Sequence, residues 1–119
     1  MIVGLCFLGK IGGNSMMSKE TIQRKAFEKK RIRKVNEILD LLQEECGEVV
    51  QIVGKCRRFG LEEKREQLVQ EIADVALLID LLKAHELFTD AEIHTAQIEK
   101  ATKLTKWSTV YEEIGRAHV

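Results

Sequence analysis

Residues 35–60, VNEILDLLQEECGEVVQIVGKCRRFG, decide the fold. Their apolar members Val35, Ile38, Leu39, Leu42, Cys46, Val49, Val50 and Val53 step by 3, 1, 3, 4, 3, 1 and 3. That is the 3.6-residue period of a helix with one buried stripe. Gly60 follows Phe59 and is a natural stop. Working back, the helical pattern reaches about Lys19, with a break expected near Lys29–Arg33, and Ser18 stands ready to cap it. Working forward, Leu68, Ile72, Val75, Ile79 and Leu82 predict a second helix from about Glu62 to His85. Thr89-Asp90-Ala91-Glu92 has the capping-box pattern and opens a third helix, expected to end near Tyr111.

These segments predict an all-α chain, a small bundle of three to four helices. The run from Val75 to Leu82 is apolar nearly all round except Asp80, so it should be enclosed on most sides. So small a bundle cannot cover it alone, which predicts a homo-dimer or tetramer with part of the second helix in the interface. The chain has 119 residues, enough for one core and too few for two. It contains no proline, as suits long uninterrupted helices. Lysine plus arginine balances aspartate plus glutamate at 19 each, which argues against a general nucleic-acid or membrane-surface binder. The basic run of Arg24, Lys25, Lys29, Lys30, Arg31, Arg33 and Lys34 has little aromatic interleaving and reads as a solvated helix face. Three cysteines, an odd number, make no disulfide framework and point to a reducing cytoplasm. The apolar run from Met1 to Leu8 is too short to span a bilayer, and its lysine follows the run where a signal peptide would place it in front.

The ends read differently from the middle. Residues 1–18 read as a flexible or mis-assigned extension, with Met16 or Met17 expected as an alternative start. Residues 114–119 spell the peptide that one reading frame of a widely used sequencing adapter encodes before a stop codon, so they read as a non-native tail. The helical domain is 19–113.

Acidic pairs three apart occur four times: Glu37/Asp40, Glu45/Glu48, Glu63/Glu66 and Glu71/Asp74. At roughly 100° per residue, the first and third point away from the apolar stripes and look like ordinary surface. Glu45 and Glu48 lie on a stripe's flank between Leu41 and Ile52, and Glu71 and Asp74 share a flank with Leu78 and Leu81. If the first two helices pack antiparallel across Gly60, the two pairs come to similar heights, within one turn. Four half-buried carboxylates repel one another unless some are protonated or a cation neutralises them. All-oxygen ligands favour Mg²⁺ or Mn²⁺ over zinc. His85 and His94 have no partners at ligand spacing and read as surface or helix-end residues. Lys55, Arg57 and Arg58, one to three turns beyond Glu48, and Lys100, Lys103 and Lys106 on the third helix offer charge for phosphates. Each also reads as a solvated helix face. Trp107 and Tyr111 read as packing residues before base-stacking ones.

The string Glu44-Glu45-Cys46-Gly47-Glu48, followed by Glu71-Ile72-Ala73-Asp74, resembles the EExxE…ExxD signature of the MazG-like all-α nucleoside triphosphate pyrophosphohydrolases. The stretch from Leu41 to Gly60 resembles the small phage and environmental, phosphoribosyl-ATP pyrophosphohydrolase-like branch. The resemblance covers about Val35 to Tyr111. It implies an oligomeric helical bundle that cleaves a nucleoside triphosphate to the monophosphate and pyrophosphate with Mg²⁺. By position it makes Glu45, Glu48, Glu71 and Asp74 metal ligands, and Glu44 an orienting residue. Lys55 and Arg58 match a K-x-x-R-F-G piece, and Lys100 matches a phosphate-binding lysine of the later helix. The asparagine and arginine that commonly follow that lysine are absent, and Lys103 and Lys106 stand in their region. Two readings compete with the enzyme: a non-catalytic helical interaction module, and a basic-arm nucleic-acid binder.

Overall fold

The computed structural model describes residues 16–112; the expectations for 1–15 and for the tail from 113 onward lie outside the described residues. Among the described residues there are three helices and no strand: α1 (Lys19–Phe59), α2 (Leu61–Ala84) and α3 (Asp90–Trp107). Two compact units divide the chain, the first ending at Arg33 and the second beginning at Lys34.

In the first unit, α1 starts where Ser18 accepts a hydrogen bond from the Thr21 backbone N–H at 3.1 Å, an N-cap in the predicted place. The expected break near Lys29–Arg33 does not occur. The sequence from Lys19 to Cys46 holds neither glycine nor proline, and Glu28 pairs with Arg31 one turn on at 2.7 Å. Arg24, Lys25, Lys29, Lys30 and Arg33 of the basic run are all exposed.

The second unit is built on a repeat. Apart from half-buried Gly54, Ile79 and Lys83 beside it, the inward line of α1 is Val35, Ile38, Leu42, Glu45, Val49, Ile52 and Cys56, and that of α2 is Lys64, Leu68, Glu71, Val75, Leu78, Leu82 and His85. Steps of three and four alternate without a slip, the 3.5-residue rhythm of two helices that share one seam. Val35 and Ile38 pack with Leu78 and Leu82, Leu41 shares a cavity with Leu77 and Leu78, and Gln51 and Lys55 share one with Gln67 and Gln70. Low numbers meet high ones throughout, so the helices are antiparallel. Gly60, the single residue between them, has φ 106°, a backbone that L side chains rarely adopt, so glycine is required there.

Five apolar side chains are buried among the described residues: Val35, Ile38, Ile52, Leu78 and Leu82. Each contributes about 1.5–3 kcal/mol. Leu42 and Phe88 pack against four of them. The apolar stripe expected from sequence is partly displaced. Cys46 is exposed, Val50 is 72% exposed and Ile72 52%. A seam against one neighbour covers a narrow 3.5-spaced line, and these residues belong to a second apolar line beside it. Leu77 and Leu81 are exposed too, so one chain does not enclose the stretch from Val75 to Leu82.

The link from α2 to α3 is tightly specified. Glu86 adopts φ 63°, its N–H donates to the Lys83 carbonyl and that of Leu87 to the Leu82 carbonyl, a Schellman turn without its usual glycine. Thr89 and Glu92 form the expected capping box, with N–H donors bonded at 3.1 and 2.9 Å. Lys83 joins the two helices through Asp90 at 2.9 Å. α3 stops at Trp107, short of Tyr111: Ser108 is extended, and its hydroxyl accepts from the Val110 N–H. No helix among the described residues is long and apolar enough to cross a membrane.

Candidate metal centre

The repeat that places valine, isoleucine and leucine inward near Val35 also places Glu45 and Glu71 inward. Counted from Gly60, Glu45 stands four turns back and Glu71 three turns on, so the antiparallel pair brings them within about one turn of each other. Asp74 follows Glu71 by three residues and reaches the same spot from the flank. One carboxylate oxygen from each of Glu45, Glu71 and Asp74 lies within 4.8 Å of the others. Glu45 and Glu71 are half-buried; Asp74 is exposed. The Oε2 atom of Glu71 has no solvent contact and accepts no hydrogen bond. A buried acceptor left without a donor is costly, and needs either a proton or a cation.

The electrostatics point the same way. Glu45 is held above the ordinary glutamate pKa, first by desolvation, then by the charges of Asp74 and Glu71, a hydrogen bond shared with Glu71, and the charge of Glu48. Like charges on a partly dry seam favour the protonated form until a cation replaces the proton.

The trio fits a small hard cation. Octahedral Mg²⁺ with oxygens at about 2.1 Å has cis ligands about 3 Å apart and trans ligands about 4.2 Å apart. The oxygens of the trio, all within 4.8 Å of one another, lie at separations of that order. No histidine or cysteine lies in the trio, so zinc and copper are not favoured.

The other sequence-predicted residues divide clearly. Glu48 is exposed and stands one turn from the trio, sharing a groove with Glu71. Glu44 is exposed and outside the trio. Lys55 lies along the groove of Glu48 and Glu71. Arg58 is exposed, with its guanidinium 5.4 Å from the Phe59 ring centroid. Lys100 lines a different cavity, with His94 and Gln97 of α3 and Tyr111 beyond it, which no acid of the trio lines; Lys103 is exposed.

Three residues beside the acids were not singled out from the sequence: Gln51, Gln67 and Gln70 line the groove with Lys55. Their signal was spacing, since Gln51 follows Glu48 by three residues and Gln67 precedes Glu71 by four. On the other side of the trio, Leu41, Leu77 and Leu78 line an apolar hollow with Glu45 and Asp74. Comparison of the chain with protein-family models, with curated proteins and with solved structures finds no match.

Proposed function

We propose that the chain is a Mg²⁺-dependent nucleoside triphosphate pyrophosphohydrolase, converting an NTP or dNTP and water to the monophosphate and pyrophosphate. The observation that carries this is the convergence of Glu45, Glu71 and Asp74 beside an unpartnered buried oxygen of Glu71. The EExxE…ExxD resemblance supports it from the sequence. Glu45, Glu71 and Asp74 would hold the cation, with Glu48 one turn away completing the set. Mn²⁺ suits the same oxygens.

A divalent cation bound there supplies positive charge for phosphate oxygens and acidifies a nearby water. The chain's own part is to place a carboxylate where it takes that water's proton. The water oxygen bonds to the α-phosphorus, the α–β bridging P–O bond breaks, and its electron pair leaves on pyrophosphate. Lys55 stands beside the acids and screens the charge that builds on the departing group. Glu44 is not needed in this scheme. Arg58, Lys100 and Lys103 keep the phosphate role that the resemblance gives them, which would require a neighbouring subunit for the α3 lysines.

Self-association belongs to the same reading. A core of five buried residues, with Val50, Ile72 and Leu77 left exposed, leaves apolar surface that a second copy would cover, as a dimer or tetramer. Light scattering on the purified protein reads its mass. The cytoplasm, with its nucleotides and reduced thiols, is the compartment this activity fits.

The test is pyrophosphate release from a panel of ribo- and deoxynucleotides, an oxidised nucleotide and phosphoribosyl-ATP, with Mg²⁺ and with chelator. The reading predicts release that chelator stops. No release from any member with Mg²⁺ present would leave the interaction-module alternative standing.

A further inference from the structure

Two unlike cavities flank the acids. Leu41, Glu48 and Lys55 recur at seven-residue spacing, as do Gln67 and Asp74, so both cavities open on one side of the seam. Away from Gly60 lies the hollow of about 210 Å³ lined by Leu41, Leu77 and Leu78 beside Glu45 and Asp74. Toward Gly60 lies a groove of about 250 Å³ where Gln51, Gln67, Gln70 and Lys55 meet Glu48 and Glu71.

Taking the pyrophosphohydrolase reading as its premise, we propose that the glutamine groove is the berth of the departing pyrophosphate, and that the nucleoside lies over the leucine side. The substrate would then run along the seam, its α-phosphorus at the acids and its β- and γ-phosphates toward Gly60. Carboxamides suit this task because each NH₂ donates two hydrogen bonds and brings no charge. The groove's formal charge is one ammonium against two carboxylates, a net of −1. Bare polyphosphate is repelled there, whereas a polyphosphate already neutralised by a divalent cation is accepted. The carboxylates therefore select the metal complex over the free anion, and the glutamines supply its hydrogen bonds.

The lining agrees. It has no aromatic residue on which a base could stack. The hollow across the acids has leucine walls that give a phosphate no donors and give a flat ring an apolar surface.

The experiment is isothermal titration of two probes, inorganic pyrophosphate with and without Mg²⁺, and AMP, GMP, CMP and UMP in turn with Mg²⁺. Wild type is compared with the double variant Gln67→Leu, Gln70→Leu, and with Leu41→Ala. Pyrophosphate is expected to bind wild type only with Mg²⁺, and the double variant about tenfold more weakly, as losing hydrogen bonds to a charged group does. Monophosphate affinity stays within about twofold in that variant and falls in Leu41→Ala. If the double variant loses helicity by circular dichroism, the single variants Gln51→Leu and Gln67→Leu carry the same test. Equal pyrophosphate affinity in wild type and variants, or equal loss for both probes, overturns the proposal. Should that happen while wild type still hydrolyses a nucleotide with Mg²⁺, the enzymatic reading stands and the groove assignment alone falls. Failure of wild type both to hydrolyse and to bind either probe removes both.

Discussion

Two stretches of one seam differ in what fills them. Far from Gly60, the inward positions hold Val35, Ile38, Leu78 and Leu82, and all four are buried. Midway along the same repeat, they hold Glu45 and Glu71, which are only half-buried. Helix geometry treats the two stretches alike; solvation does not. Leucine in a seam stabilises the pair simply by leaving water. A carboxylate there costs stability unless a proton, a donor or a cation satisfies it. The apolar stretch, with Ile52 nearer Gly60, thus holds α1 to α2, and the acidic stretch is the part that the proposed function assigns to a cation.

The sharpest way to break this contrast is to exchange what each stretch does. Asp74→Asn, Glu71→Gln or Glu48→Gln is expected to cut pyrophosphate release by more than about 100-fold while leaving helicity intact. Unchanged release in Asp74→Asn would show that the acidic stretch is not the site. Leu82→Ala, in the apolar stretch, should behave oppositely. It is expected to cost about 2–5 kcal/mol in denaturant unfolding, with the activity of the remaining folded protein retained.

Next comes the cost of the acids themselves. With chelator present, Glu45→Leu should melt at a higher temperature than wild type. Adding Mg²⁺ should raise the melting point of wild type, through about 2.7 kcal/mol of stabilisation at a hundred times its dissociation constant, and leave Glu45→Leu unmoved. The pH dependence follows from the raised pKa of Glu45. Folding favours its neutral form, so this contribution is fully present below the unfolded-state pKa and is lost as pH rises through the folded one. Metal-free wild type should therefore lose stability over that window, and Glu45→Gln should lose less. A melting curve in chelator that improves across the same window would contradict the assignment.

The smallest expected effect lies away from both stretches. Glu86 takes a left-handed backbone that glycine enters freely. Glu86→Gly should stabilise by about 0.5–1 kcal/mol without altering turnover.

Much of this was legible in the sequence because short-range chemistry fixes it. Ser18, Gly60 and the Thr89–Glu92 pair mark helix ends through bonds within a few residues, and the structure has them where the sequence placed them. The common height of Glu45, Glu71 and Asp74 followed from counting outward from Gly60. What was not legible is which of two apolar lines on each helix faces the partner. Cys46, Val50 and Ile72 are as apolar as Leu42, Val49 and Leu78, and only the 3.5-residue rhythm of a two-helix seam separates them. That rotation also moved Glu45 and Glu71 from the flank onto the seam. Gln51, Gln67 and Gln70 escaped notice because neutral amides on exposed helix faces carry no pattern of their own. The early end of α3 turns on a hydroxyl at Ser108 that competes with the helical backbone, a local preference too weak to read in advance.

The account's central claim is that Glu45, Glu71 and Asp74 form a cation site, and titration of Mn²⁺ into metal-free protein, followed by the loss of its free electron-spin signal, tests that claim most directly. Saturable binding in wild type that Mg²⁺ displaces and that Asp74→Asn loses is the predicted result. Wild type and Asp74→Asn taking up the ion equally, or neither taking it up, would contradict it.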